Sequence, residues 1–168
     1  NNSGAGSSGG NGGGIAFVLA KELRSNGYAI LANGQAPAKA SGDGGGGGGG
    51  GGVVYLDAKS STDNLVIEAK GGNGGHVVNS ADRCYGAGGG GSGGKVVSNL
   101  SLTSQSYTSG GQAGVNTVSS VQCSSPSNGA QAGENGVKSN LIPIPSSENE
   151  ILVPTVLAMP SPVTGCEG

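Results

Sequence analysis

The run of nine glycines from Gly44 to Gly52 constrains the fold of this chain more than any other feature. Such a run disfavours a helix, because each glycine costs roughly 0.5–1 kcal/mol against alanine in a regular element and buries no side chain. Glycine does allow one backbone to pack directly against another. In polyproline II geometry the backbone makes no internal hydrogen bonds, so every amide can bond to a neighbouring segment. We therefore expect a polyglycine II segment that is held by adjacent chain.

A glycine segment followed by two apolar strands recurs along the chain with a period near forty residues. The units span about residues 10–34, 44–72 and 86–111, and the third is the least apolar. Repeats of this length bury their apolar faces by stacking on one another. The pattern predicts an all-β, solenoid-like stack of short strands with polyglycine II segments. It leaves open whether the strands form a parallel coil or stacked hairpins.

The first unit shows the expected local structure most clearly. Its strands are residues 15–20 and 28–32, and the turn between them ends in Asn26-Gly27, a pair suited to positive φ. Both alternating faces of the first strand are apolar, so we expect it to be covered on both sides. Small residues recur where each strand would meet a glycine layer: Ala20 matches Ala58, and Ala32 matches Ala69.

Composition divides the chain into three parts. Residues 1–114 form the predicted glycine-rich β repeat region, and residues 115–140 are rich in Ser, Asn and Gly. Residues 141–168 combine apolar side chains with five of the seven prolines. Because proline is excluded from central strands, this last part is predicted to be an extended arm or a linker.

Charge and hydropathy exclude several partners. The net charge is −2, and the eight Lys and Arg residues are scattered singly, so no basic face for nucleic acid is expected. No apolar run approaches the length of a membrane span, so this fragment is predicted not to cross a membrane. Few charges and an odd count of three cysteines favour an extracellular, cell-surface location.

Motifs that carry chemistry are weak here. Residues 89–95 match most of a phosphate-binding loop, but Val96 stands where a Ser or Thr is required, and a strand follows instead of a helix. His76 is the single histidine, and no serine is placed in a G-x-S-x-G turn between a strand and a helix, where it could act as its partner. The cysteines and aspartates lack metal-site spacing. We expect no catalytic residue, metal or cofactor, and therefore no enzyme.

The cysteines suggest a cross-link instead. Cys84 and Cys123 flank the third glycine run, so a disulfide between them would stabilise the least apolar unit. A closed loop of about forty residues is worth roughly 3–4 kcal/mol in the chain-entropy model. Cys166 could pair with either of them or with a partner outside the fragment.

The units GGGIAFVLAKELRSNGYAILANG and GGGGGGGGGVVYLDAKSSTDNLVIEAKGG resemble glycine-rich repeat regions of very large bacterial surface proteins. The likeness is to the filamentous adhesins of Bacteroidota, which the type IX secretion system exports and some species use for gliding. It covers roughly Gly9 to Gly111. This resemblance implies a secreted stalk, filament or adhesin segment without catalysis. Its partners would be neighbouring segments of the same long protein, other surface or secretion proteins, and a carbohydrate or other surface ligand.

A second resemblance leaves an alternative function open. The glycine-rich domains of the anaplastic lymphoma and leukocyte receptor kinases, and some phage tail-fibre tip adhesins, also pack polyglycine helices, in a bundle. Those domains have many long glycine runs, whereas this chain has few long runs and regular strands. The alternative function is therefore a ligand-binding domain of receptor or tail-fibre type.

Overall fold

The computed structural model describes residues 5–78, 83–102, 104, 106–117, 123 and 125–140. The described residues contain short β-strands and no helix. The strands are β1 (Ile15–Leu23), β2 (Ala29–Leu31), β3 (Ala40–Ser41), β4 (Val53–Ser61), β5 (Val66–Glu68), β6 (Val77–Val78), β7 (Lys95–Ser98) and β8 (Val137–Asn140).

Equivalent strands of successive turns pair in parallel, so the chain winds as a β-solenoid of about 3 turns. The long sheet has the order β1-β4-β7-β8, and two short sheets pair β2 with β5 and β3 with β6. Ala20 lies opposite Ala58 in this register, as the sequence match indicates. The predicted all-β, solenoid-like fold is confirmed, and its strands form a parallel coil instead of stacked hairpins.

The structure adds two features that the repeat pattern did not reveal. The first is a third side of the coil, formed by β3 and β6 and continued by a parallel bridge from Val77 to Asn116. The second is the start of a fourth turn, in which β8 extends the long sheet within the segment of low apolar content. The proposed arm at 141–168 lies outside the described residues.

The core is a thin layer between the long sheet and the β2–β5 sheet. Its largest fully buried side chains include Val54 and Leu56 of β4, Ile67 of β5 and Val96 of β7. Buried alanines, such as Ala58 within β4 and Ala69 just after β5, fill the narrow remainder. Burial of such side chains is worth roughly 1.5–3 kcal/mol each for Val, Leu and Ile. Apolar packing therefore covers only one part of each turn, and other interactions must order the rest.

Two glycine-containing segments complete each turn, and we call them the first and second legs. The first leg comprises residues 6–14, 44–52, 86–94 and 130–136 of successive turns, and it leads into the long sheet. The second leg comprises residues 32–38, 69–75 and 108–114, and it follows the β2–β5 sheet. The two legs run alongside each other and are joined by backbone hydrogen bonds.

Backbone hydrogen bonds in the legs repeat every third residue. Within the glycine run, the amides of Gly48 and Gly51 donate to the first leg of the next turn. The amides of Gly49 and Gly52 donate instead to carbonyls of the second leg, at 2.9 and 2.7 Å. A three-residue repeat is the signature of polyproline II geometry, in which successive amides point in three directions. The legs thus form a hydrogen-bonded lattice, which we call the glycine lattice.

The lattice leaves no room for side chains at its internal positions. A Cβ placed on any of six glycines in the run would overlap a backbone carbonyl oxygen of another leg: Gly45, Gly46, Gly48, Gly49, Gly51 and Gly52. A Cβ on Gly44, Gly47 or Gly50 would instead meet its nearest neighbour at 3.7–3.8 Å, which is ordinary contact. Two positions in every three therefore require glycine, because one backbone packs directly on the next.

Candidate functional site

Cys84 and Cys123 form a disulfide in the structure, with their Cα atoms 5.2 Å apart and a sequence separation of 39. The bond lies beside Asn116, whose Nδ2 is 3.5 Å from Cys84 Sγ and 3.4 Å from Cys123 Sγ. Asn116 itself pairs with Val77 of the preceding turn. The disulfide therefore stabilises a corner of the coil where successive turns meet. Cys166 lies outside the described residues.

The residues that could have carried chemistry have structural contacts. His76 Nδ1 accepts a hydrogen bond of 3.0 Å from the amide of Val115, and its carbonyl accepts one from Ala40. Both bonds join His76 to neighbouring turns. Residues 89–94 belong to the first leg, and Lys95 begins β7, so the phosphate-loop match is part of the lattice.

No group of three or more His, Cys, Asp or Glu that could hold a metal ion occurs among the residues the structure describes. Within the same residues, no helix is long and apolar enough to cross a membrane.

The outer side of the long sheet carries exposed apolar side chains. Ile15, Phe17 and Leu19 of β1 are 73%, 72% and 75% exposed, and the Phe17 ring lies 5.3 Å from that of Tyr55 on β4. We call these four residues the apolar face. The expectation that both faces of residues 15–20 would be covered is wrong, because Ala16, Val18 and Ala20 pack against the core while the residues between them are exposed. Exposed and partly buried side chains alternate along β1, and the exposed ones form an apolar surface on the outside of the coil.

The outer side becomes polar after the first turn at the level of Leu19, whereas at the level of Phe17 it stays apolar through Tyr55 and Val97. In the register of the long sheet, Leu19 is followed by Asp57, and Asp57 accepts a hydrogen bond of 2.8 Å from Asn99 in the next turn. Asn99 also bonds both backbone groups of Ala58, at 3.0 and 2.9 Å. Further turns thus present a polar outer side at this level.

A shallow polar groove runs along the outward positions of the second leg. It encloses about 410 Å³ and is lined by residues of three turns: Asn33, Gly34, Ala36, Lys70, Gly71, Gly72, Asn73, Ser109, Gly110 and Gln112. Beside it, Glu68 Oε2 accepts bonds of 2.9 Å from Lys70 Nζ and 2.8 Å from Asn33 Nδ2. The Lys70 ammonium and then the Asn33 amide hold the pKa of Glu68 below its ordinary value, against the opposing effect of burial.

The Lys70 ammonium is also 5.5 Å from the centre of the Tyr107 ring, which belongs to the following turn. A cation at this distance is attracted to an aromatic face. Asn33, Glu68, Lys70 and Tyr107 therefore connect three successive turns on the outside of the coil, so their observed contacts serve the stack itself.

Comparison with known proteins gives no match. No protein-family model, no curated protein and no solved structure is similar enough to this chain to be assigned to it.

Proposed function

We propose that this chain is a structural or adhesive module of a secreted cell-surface protein, acting as a segment of a stalk, filament or adhesin without catalysis. The observation that carries the proposal is the glycine lattice, in which each turn is bonded through its backbone to the next. A stack held in this way depends little on a large apolar core. It suits a narrow, rigid spacer that is built from few residue types.

A secreted location is supported by the disulfide between Cys84 and Cys123. Disulfides persist in oxidising surroundings and are rare in reducing cytosol. The resemblance to Bacteroidota adhesins exported by the type IX system agrees with such a location and remains part of the proposal. Export itself is testable by following the chain in its native host with an antibody, where a purely cytosolic signal would contradict it.

The adhesive contact in this proposal is the apolar face. Exposed apolar and aromatic side chains grouped on one side of a rigid body are typical of binding surfaces. The paired rings of Phe17 and Tyr55 suit the apolar side of a sugar ring or another apolar surface ligand. A carbohydrate is therefore the first ligand class to test.

The experiment compares beads coated with wild-type chain and with the double variant Phe17→Ser, Leu19→Ser on immobilised polysaccharides and on an alkylated surface. The matched control is Lys21→Ser, a change at an exposed residue of the same strand. We expect the double variant to lose tenfold or more in bound beads, since central aromatic contacts dominate interfaces, at more than about 1 kcal/mol each. Equal loss in the control, or none in the double variant, would contradict an adhesive apolar face.

The alternative function, a ligand-binding domain of receptor or tail-fibre type, has support from the groove on the second leg. The groove presents polar side chains from three turns along packed glycine segments. A protein ligand bound there would be lost in Gln112→Ala and retained in the apolar-face variant. The opposite pattern favours the adhesive module.

A further inference from the structure

Among the residues that the structure describes, the glycine lattice stops at both ends, and at each end side chains replace the glycines that stacking requires. At the first turn, Ser8 and Asn11 occupy the positions that Gly46 and Gly49 occupy one turn later, in the register that pairs Ile15 with Val53. A Cβ on Gly46 or Gly49 would overlap the carbonyl of the turn before it. Ser8 and Asn11 therefore place side chains where the leg of a preceding turn would have to lie.

The second leg shows the same change at the same end. Gly72 and Gly111 stack directly on the preceding turn, because a Cβ on Gly72 would overlap the carbonyl of Gln35, and one on Gly111 that of Gly72. Their counterpart in the first turn is Gln35 itself. Its side-chain Oε1 accepts a hydrogen bond of 3.2 Å from Asn11 Nδ2. Two amide side chains thus bridge the two legs across the end of the lattice.

The fourth turn ends the lattice in the opposite direction. Gly90 and Gly93 face the second leg of their own turn, where a Cβ would overlap carbonyls of Gly111 and Thr108. Their counterparts one turn later are Ala132 and Asn135, in the register that pairs Lys95 with Val137. In this leg, glycine is kept only at the positions that pack against the preceding turn, Gly133 and Gly136. No glycine occurs in residues 141–164 of the sequence.

Asn135 also completes a row of hydrogen bonds. The amides of Gly34 and Gly71 each donate to the second leg of the next turn, at 2.8 Å to Lys70 O and 2.9 Å to Ser109 O. At the equivalent position in the third turn, the amide of Gly110 donates to the side-chain Oδ1 of Asn135, at 3.1 Å. The Asn135 side chain therefore occupies the place of a backbone carbonyl in a further leg.

We propose that these side chains are caps that fix the length of the lattice: Asn11 with Gln35, helped by Ser8, at one end, and Asn135 with Ala132 at the other. A further glycine turn cannot approach either end at backbone contact, whatever chain precedes or follows. The module is a discrete block and does not grow end to end through its glycines. This inference goes beyond the proposed function and does not depend on it.

The first test adds a turn. A copy of residues 39–80 is joined ahead of Asn1, in the wild-type background and in one with Ser8→Gly, Asn11→Gly, Gln35→Gly and Ala38→Gly. Ala38 is included because it is the first-turn counterpart of Gly75 in the second leg. Hydrogen exchange of the added glycine amides reports docking. In the wild-type background, we expect the added glycine amides to exchange at the rate of an unfolded chain. In the fourfold variant, we expect them to exchange at least tenfold more slowly. Protection in the first background, or its absence in both, would overturn the cap at this end.

The second test measures exchange of the Gly110 amide and stands even if the fourfold variant fails to fold. Asn135→Ala removes the acceptor, Asn135→Asp keeps one, and Glu134→Ala is an exposed control beside it. Loss of one hydrogen bond, about 1 kcal/mol, corresponds to exchange about fivefold faster. We expect that change in Asn135→Ala alone. Unchanged exchange in that variant, or an equal change in Glu134→Ala, would overturn the cap at the fourth turn.

Discussion

Replacing Gly49 by alanine tests backbone packing sharply, because Gly47 in the same run provides a matched control. Both residues lie in the first leg of the second turn, and neither has the positive φ that disfavours alanine. A Cβ at Gly49 would overlap the carbonyl oxygen of Asn11, whereas one at Gly47 would lie 3.8 Å from that of Gly89. The two substitutions are chemically identical and differ only in what the added methyl meets.

The expected cost at Gly49 follows from its contacts. Its amide donates to Gln35 at 2.9 Å, and its carbonyl accepts from Gly72 at 2.8 Å. Relieving the overlap requires the legs to separate, so both bonds weaken, at about 1 kcal/mol each. Overpacking adds about 1–3 kcal/mol, because the neighbouring atoms are backbone and cannot change rotamer. We expect Gly49→Ala to lower the free energy of unfolding by about 3–5 kcal/mol.

Gly47→Ala should have the opposite sign. Alanine restricts the unfolded chain more than glycine does, which stabilises a compatible site by about 0.4–1 kcal/mol. Urea denaturation followed by far-ultraviolet circular dichroism measures both changes, since the chain has no tryptophan. Equal stability of the two variants would refute the argument that backbone contact is what selects glycine in this run.

Three further predictions concern the core, the disulfide and pH. Leu56→Ala should lower the free energy of unfolding by about 2–5 kcal/mol, whereas Leu19→Ala, at a residue 75% exposed, should change it little in the same denaturation assay. Cys84→Ser, Cys123→Ser should cost about 3–4 kcal/mol, and a reductant should then have no further effect on the midpoint. Lys70 holds the pKa of Glu68 in the folded state below its ordinary 4.5. The ionised Glu68 therefore adds to the free energy of unfolding in full above pH 4.5, and this contribution is lost as the pH falls through the folded pKa. Glu68→Gln should remove this contribution in urea titrations from pH 6 downwards.

The sequence predicts the repeating part of the fold well. Glycine runs followed by apolar strands define the all-β stack, and the match of Ala20 with Ala58 anticipates their pairing in the long sheet. The turn at Asn26-Gly27 has the positive φ values that the pair favours, 48° and 81°. These features depend on local chemistry and on a period, both of which a sequence displays directly.

The parts that sequence reasoning missed depend on contacts between turns. The fourth turn has too few apolar residues to be recognised as a strand unit, and Val137 and its neighbours are held instead by pairing with β7 and by the glycine lattice. The apolar face was expected to be a second buried side, because a strand that is apolar on both sides does not reveal which side is covered by neighbouring chain. Asn11, Gln35 and Asn135 looked like ordinary polar residues. Their role as caps can be recognised only when successive turns are aligned and each of these residues is seen to replace the glycine of the equivalent position.

The central claim is that the glycine run forms a hydrogen-bonded lattice with a three-residue repeat, and amide hydrogen exchange by NMR tests it most directly. The structure bonds the backbone amides of Gly48, Gly49, Gly51 and Gly52 to other legs, whereas those of Gly47 and Gly50 bond to none of the described residues. The account predicts one fast amide followed by two slow amides, repeated along Gly47–Gly52. Uniformly fast exchange across the run would contradict it.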